Sequence, residues 1–536
     1  MLKSSELVSP VSFPASRVGL PSLVRTEWAI TALLALIAGL PTLALWNRAS
    51  YLTGDSYQYL RAATTFANGQ GLRDMSGNPF TVLTPLYPLL VGIMHRLVPA
   101  MDIETTARLV SFAGATTAVI ALYWLLRARY SVRFSFAAAW LFALLPLRVW
   151  SGLWALSEGL YLGLVMLGVA VLFRPQNRTW FSAAAGGVLL GLAYLTRPEA
   201  NLYLAGVLTL FFLKARRGPK TALVILAGFL LVALPYHAWV YSVTGSPSSG
   251  RMHILLSQSQ SLYEGNLSRV FLLNEVQPDG STVSRLGSEM TLGAIAKRYA
   301  FFARVEIGRL LYLLGPYFLV MALLIVGIAV YVRRNMSLRK FQLADAWPFV
   351  LASWLLFLPL LHIEDRYILP VLPAFLVWLV MIMLALQKLL EPKLPLRYRQ
   401  FAVCIPLALV ALFVLSYGYR LATQLPQNHP SLFARNTAHW WEAAGLSPAP
   451  ILSQNPDLAF FTNGEHRWMP AGEPADVLKY AQRNGVTYIY VSSQDVACPL
   501  NNLLLGNTAG IPDSLKLLHE ESDGARLGRL FAFKSL

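Results

Sequence analysis

Residues 28–72 read WAITALLALIAGLPTLALWNRASYLTGDSYQYLRAATTFANGQGL. Residues 28–46 carry no charge and are long enough, as a helix, to cross a hydrocarbon core of roughly 30 Å. A single acid, Asp55, then follows a few residues past the lipid boundary. Thr53 stands as an N-cap before it, with Tyr59, Ala62, Ala63 and Phe66 at helical spacing and Gly69 or Gly71 as a stop. Asp55 falls in the first turn, where the helix dipole favours an acid by about 0.3–1 kcal/mol. Its bland reading is a helix cap and nothing more. Its functional reading is a general base, or a metal ligand, at the outer membrane face.

The rest of the chain repeats the apolar pattern. Of 536 residues, 56% are hydrophobic and 13% charged, against roughly 25% charged in an average soluble domain. Apolar runs of about 17–25 residues recur without the alternation of barrel strands. Lipid cannot satisfy exposed backbone amides, so a polytopic α-helical membrane protein is expected. The net charge of +17 reports orientation rather than nucleic acid. Twenty of the 44 Lys and Arg lie in the N-terminal tail and within 127–133, 174–178, 214–220, 333–340 and 388–399. Few acids accompany them, which is the positive-inside pattern and makes those segments cytoplasmic. Cys404 and Cys498 suggest neither a disulfide framework nor a Cys-rich metal site.

The first span follows a 27-residue cytoplasmic tail and lacks a small-residue cleavage site, so it reads as an uncleaved anchor. Further spans are expected near 105–126, 134–150, 157–173, 180–196, 199–213, 221–241, 308–332, 347–362, 367–387 and 401–418, about 11 in all. Residues 85–99 are short and broken by prolines and His95-Arg96, so they predict an interfacial or re-entrant helix. The transmembrane part thus covers 28–420, with outer loops at 47–104 and 242–306. Residues 421–536 predict a small extracytoplasmic α/β domain, with strands in APILSQ, VTYIYVSS and RLFAFK and a helix in PADVLKYAQRNG.

Ionisable residues near the outer face are the candidates for chemistry. Glu158 begins an apolar helix where two spans meet, and a carboxylate at that depth usually faces a bundle interior or wet cavity. A cap at Ser157-Glu158 is the alternative. Arg197 and Glu199 occupy one outer turn, and His362, Glu364, Asp365 and Arg366 another. Arg366 or His362 suits a phosphate by charge and geometry, with interface anchoring or local ion pairing as the alternative. Arg251, His253, Glu306 and Arg309 are weaker candidates. The chain has no Walker-type loop, no dinucleotide fingerprint and no His-x-x-x-His metalloprotease signature.

The ordered motifs GDSYQYLRAATTFANGQGL, TPLYPLLVGIMHRL, ARLVSFAGATTAVIALYWLLR, LSEGLYLGLVMLGVAVL, YLTRPEANLYL and DRYILPVLPAF resemble the type C glycosyltransferases that use polyprenyl-phosphate sugars. The resemblance covers roughly residues 28–390 and is nearest to the bacterial branch of protein mannosyltransferases and aminoarabinose transferases. It implies sugar transfer to a lipid, glycan or protein acceptor on the outer face of a bacterial inner membrane. It implies Asp55 as the first-loop acid near the reacting sugar and Glu158 as the second acid, orienting the acceptor or helping to hold a divalent cation. Arg197, Arg366 and His362 would then meet the donor phosphate, and Tyr59 and Tyr87 would contact substrate. One departure stands out. Aminoarabinose transferases carry a basic residue immediately before the Pro-Pro-Leu-Tyr-type motif, whereas this chain has Thr84-Pro85-Leu86-Tyr87. The rival class is a non-enzymatic transporter or assembly protein for lipid-linked sugars, whose polar residues should lie near the bilayer midplane.

Overall fold

The computed structural model describes residues 20–48, 52–174, 179–214, 218–246, 251–266, 272–284, 292–314, 323, 346–360, 364–393, 395, 404–423, 431–506, 510–523 and 526–534. Ten described helices lie between residues 20 and 244: α1 (Leu20–Ala44), α2 (Gly54–Ala67), α3 (Leu86–Leu97), α4 (Ile103–Arg127), α5 (Val132–Leu144), α6 (Pro146–Leu153), α7 (Glu158–Phe173), α8 (Trp180–Thr196), α9 (Ala200–Lys214) and α10 (Gly218–Thr244). By length and composition, four described helices can cross a membrane: Thr26–Ala44 within α1, α4, α10 and Asp365–Leu384. α5 and α6 make a fifth if counted together, although a 59° bend separates them. The bend has a local cause. Pro146 has no amide hydrogen to continue α5 and instead opens α6. Shorter apolar helices, of 10–17 residues each, overlap the stretches expected as spans at 157–173, 180–196, 199–213, 347–362 and 401–418, and by length and composition they do not add to those four or five crossings. Most of the expected 308–332 span lies outside the described residues. α3 has 12 residues, a length of about 18 Å that falls short of a crossing.

One close packing in the bundle is a crossing of two backbones. A Cβ added at Gly159 of α7 would stand 2.3 Å from Ser111 O on α4 and 2.7 Å from Ser151 O. Gly114 faces it, with its own added Cβ only 2.5 Å from Gly159 O. Membrane helices that approach this closely need small residues at the contact. Because Glu158 immediately precedes Gly159, the crossing also fixes where that carboxylate sits.

Outside the bundle, the C-terminal part forms a five-stranded sheet in the order β4-β3-β5-β7-β6. Its strands are β3 (Ile451–Ser453), β4 (His466–Trp468), β5 (Tyr488–Ser492), β6 (Leu515–Ser522) and β7 (Leu527–Phe533). The first three pair in parallel, while β6 and β7 run antiparallel. One face packs Ile451, Tyr490 and Leu530 against Ala434 and Trp441 of the Ser431–Ala443 helix. The other packs Leu452, Ile489 and Phe531 against Val477 and Leu504. A hairpin of β1 (Asn274–Val276) and β2 (Thr282–Ser284) joins the sheet edge, where the Val276 amide donates to Ala471 O at 2.8 Å.

α2 lies between the bundle and this sheet. The Tyr57 ring sits 5.5 Å from Phe460 and 5.9 Å from Phe461. Arg61 donates to Gly464 O at 3.1 Å, and the His466 amide donates to Met75 O at 2.8 Å. The short helix bearing both phenylalanines begins at Asp457, which is 8% exposed. Burial, reinforced by nearby Asp495 and opposed by the Leu458 amide, pushes its carboxyl up to about 8.

Two outcomes are expected. Gly159→Val forces a branched side chain into a backbone contact and should destabilise the bundle by about 1–3 kcal/mol, read as a lower melting temperature in detergent. Asp457, at 3.8 when unfolded and about 8 when folded, favours folding fully only below the lower value and loses that contribution as pH rises towards the upper one. Asp457→Asn should therefore melt several degrees higher relative to wild type at about pH 9 than at about pH 6.

Candidate functional site

Local sequence rules place each charged side chain. At α2, Thr53 and Ser56 close a capping box: the Ser56 amide donates to Thr53 Oγ1 at 3.3 Å, and the Thr53 amide to Ser56 Oγ at 3.1 Å. The cap is therefore complete without Asp55, whose carboxylate is turned to Arg366. At α8, Arg197 precedes Pro198, which disfavours helical backbone at the residue before it. Arg197 accordingly leaves the helix at φ −154° and ψ 130° and turns its side chain inward. Glu158 opens α7, while Arg366 lies in the helical turn Asp365–Ile368 that follows Glu364.

These residues converge on one another. Arg197 Nη1 donates to Glu158 Oε1 at 2.5 Å, and its Nη2 to Glu199 Oε1 at 3.1 Å. Arg366 presents a different nitrogen to each of three carboxylates. Its Nη2 meets Asp55 Oδ2 at 3.3 Å, its Nη1 meets Glu158 Oε1 at 3.3 Å, and its Nε contacts Glu364 Oε2. Both guanidiniums also lie over the Tyr367 ring, at 5.0 and 5.4 Å. The side chains of Arg197 and Glu158 are 4% exposed, that of Arg366 13%, and that of Asp55 33%. A cleft opens beside them, lined by Glu158, Arg197, Glu199 and Arg366 and walled by Trp354 and Tyr367. Four carboxylates against two guanidiniums leave the cluster with an excess of two negative charges.

The remaining sequence candidates are distributed around this cluster. Tyr59 and Tyr87 are buried beneath it rather than open to the cleft, and their rings pack 5.1 Å apart. Tyr59 Oη shares a 3.1 Å hydrogen bond with Ser157 Oγ, just before Glu158, while Tyr87 Oη donates to Ala107 O at 2.9 Å. Thr84 is also buried and donates to Thr196 O at 2.6 Å, so the position of the missing basic residue holds the backbone beside Arg197. Arg309 pairs with Asp365 at 3.7 Å on the rim. Glu306 is buried in the Leu292–Leu314 helix. His362 lies outside the described residues, as do the side chains of Arg251 and His253. Among the described residues, no group of three or more His, Cys, Asp and Glu side chains is gathered so as to hold a metal ion. Glu199, noted in the sequence only at the Arg197 turn, and Glu364, read there only as a local ion-pair partner of Arg366, prove to be members of the cluster.

The two guanidiniums and their acids depend on each other. Removing one partner of a buried pair typically costs about 3–5 kcal/mol, because the other charge is left without compensation. Arg197→Met should lower the melting temperature sharply, and adding Glu199→Gln should restore part of the loss. A double variant that simply adds the two losses would count against this coupling.

By sequence, no family model and no curated protein matches the chain. By structure, it is similar to ArnT from Cupriavidus metallidurans bound to undecaprenyl phosphate, with a TM-score of 0.58 at 14% identity over 96% of this chain and 98% of that one. It is also similar to the Archaeoglobus fulgidus oligosaccharyltransferase in complex with Zn and sulfate, with a TM-score of 0.55 at 13% identity over 85% and 67%. AglB from the same archaeon, in complex with an inhibitory peptide and a dolichol-phosphate, gives 0.53 at 14% identity over 87% and 69%. The chain shares the fold of these type C glycosyltransferases.

Proposed function

We propose that the protein transfers a sugar from a polyprenyl-phosphate donor to an envelope acceptor at the outer face of a bacterial inner membrane. The observation that carries this reading is the Asp55–Arg366 pair, joined through Glu158 to Arg197, beside a cleft that Glu158, Arg197 and Arg366 line. A partly exposed carboxylate and a pair of guanidiniums supply what the reaction requires: a proton acceptor and stabilisation of a leaving phosphate. The fold shared with proteins bound to undecaprenyl phosphate and dolichol-phosphate supports the donor class.

In this reading Asp55 takes the proton of an acceptor hydroxyl. The acceptor oxygen forms a bond to the anomeric carbon, the bond from that carbon to the phosphate oxygen breaks, and the electron pair leaves on polyprenyl phosphate. Arg366 and Arg197 stabilise that charge in a water-poor site. Glu158 bridges both arginines and fixes their spacing, while Tyr59 and Tyr87 support α2 and the start of α7 from below. The basic segments orient the N-terminus towards the cytoplasm, with the bundle crossing about 11 times and the C-terminal sheet outside the membrane.

Purified protein supplied with polyprenyl-phosphate sugars tests the assignment. Asp55→Asn should lower turnover by about 10²–10⁴-fold, the usual weight of a positioned general base. Full activity in that variant would remove Asp55 from the chemistry. Deleting the gene and weighing envelope lipids and glycans by mass spectrometry would identify the sugar and its acceptor.

A further inference from the structure

Each nitrogen of the Arg366 guanidinium already faces a carboxylate. A guanidinium offers its N–H groups in one plane, and here Glu364 and Glu158 lie against Nε and Nη1 as ion pairs, while Asp55 accepts a hydrogen bond from Nη2. We infer that Asp55 is a placeholder for the donor phosphate on Arg366, so that donor binding itself releases the acid and the reaction proceeds donor first. This rests on the functional reading above.

Exposure and distance together single out Asp55 as the partner that yields, since Glu364 is as exposed but sits in a closer contact two residues from Arg366 on the same turn of chain. Glu158 is 4% exposed and gripped at 2.5 Å by Arg197, so moving it would uncover a buried charge. Asp55 is 33% exposed and touches Arg366 through a single oxygen at 3.3 Å. It also has somewhere to go. As a first-turn residue of α2, it keeps the favourable field of the helix N-terminus after leaving Arg366, and the Thr53–Ser56 box already meets the capping need. Charge counting agrees. A polyprenyl-phosphate sugar is a phosphodiester with one negative charge, so exchange for Asp55 leaves the charge around Arg366 unchanged. Adding the donor beside an undisplaced Asp55 would deepen an existing negative excess.

The exchange joins recognition to chemistry. With its oxygens released, Asp55 can accept the acceptor proton as the acceptor oxygen bonds to the anomeric carbon. The bond from that carbon to phosphate breaks, and the electron pair goes to a phosphate already seated on Arg366. Before the donor arrives, Arg366 occupies the base.

The test is binding, without turnover. Undecaprenyl phosphate is titrated into the purified protein in lipid nanodiscs, and occupancy is read by native mass spectrometry. Removing the competing carboxylate should make Asp55→Asn bind about tenfold tighter than wild type. Asp55→Ser, which also suits a first helical turn, should repeat the gain. Glu364→Gln, on a different edge of the same guanidinium, should change affinity much less. Equal or weaker binding by both Asp55 variants would overturn the exchange, as would an equal gain from Glu364→Gln, which would indicate charge reduction alone. If undecaprenyl phosphate bound neither wild type nor variants, the donor assignment and the exchange would fall together.

Discussion

Two arginine side chains cannot be buried near a membrane without compensating charge, and this requirement organises the molecule. The carboxylates around Arg197 and Arg366 come from the first turn of α2, the start of α7, the turn between α8 and α9, and the segment before Asp365. Four chain segments must therefore meet at one edge of the bundle. The glycine crossing of α4 and α7 sets the depth of Glu158, Pro198 turns Arg197 out of its helix, and Tyr59 and Thr84 fasten the first loop beneath them. Such a cluster is weak evidence for overall stability. It is better understood as a device that holds charge in a fixed pattern for a reaction in which charge moves.

Much of this was legible from residue chemistry acting over short distances. Hydropathy located most apolar helices, and the Thr53 cap and the glycines after Phe66 bracketed α2, with Gly69 and Gly71 at φ of +79° and +77°. Topology grouped Asp55, Glu158, Arg197 and Arg366 on one face, but could not say which acid meets which guanidinium, since a pair such as Asp55 and Arg366 is separated by 311 positions. The break at Pro146 is visible in the sequence, yet apolar residues on both sides carry the hydropathy straight through it. β4 has only three residues, and β6 ends in His-Glu-Glu-Ser, so neither gives a strand-like pattern. Asp457 after Pro456 looks like an ordinary helix-start acid until the fold buries it.

The site also has a division of labour. Arg197 and Glu158 are enclosed by the bundle, whereas Asp55 stands on the 14-residue α2, which packs against both the bundle and the C-terminal sheet region. A carboxylate so mounted can change partners without disturbing the spans beneath it. Residues that need fixed spacing and the residue that needs freedom are thus carried by different kinds of support.

The contacts that finish α2 have a consequence for how the protein is made. Arg61 and Gly464 are 403 positions apart, and Ser76 and His466 are 390 apart. During synthesis the acid-bearing helix emerges well before the residues that cover it, which follow some 390–403 positions later. Closing such long loops is entropically costly and slow relative to helix formation. The nascent bundle can insert and pack its glycine crossing first, leaving the first loop unfinished until the C-terminal sheet folds onto it. Competence for chemistry is then a late event in biogenesis, withheld until the rest of the chain is in place.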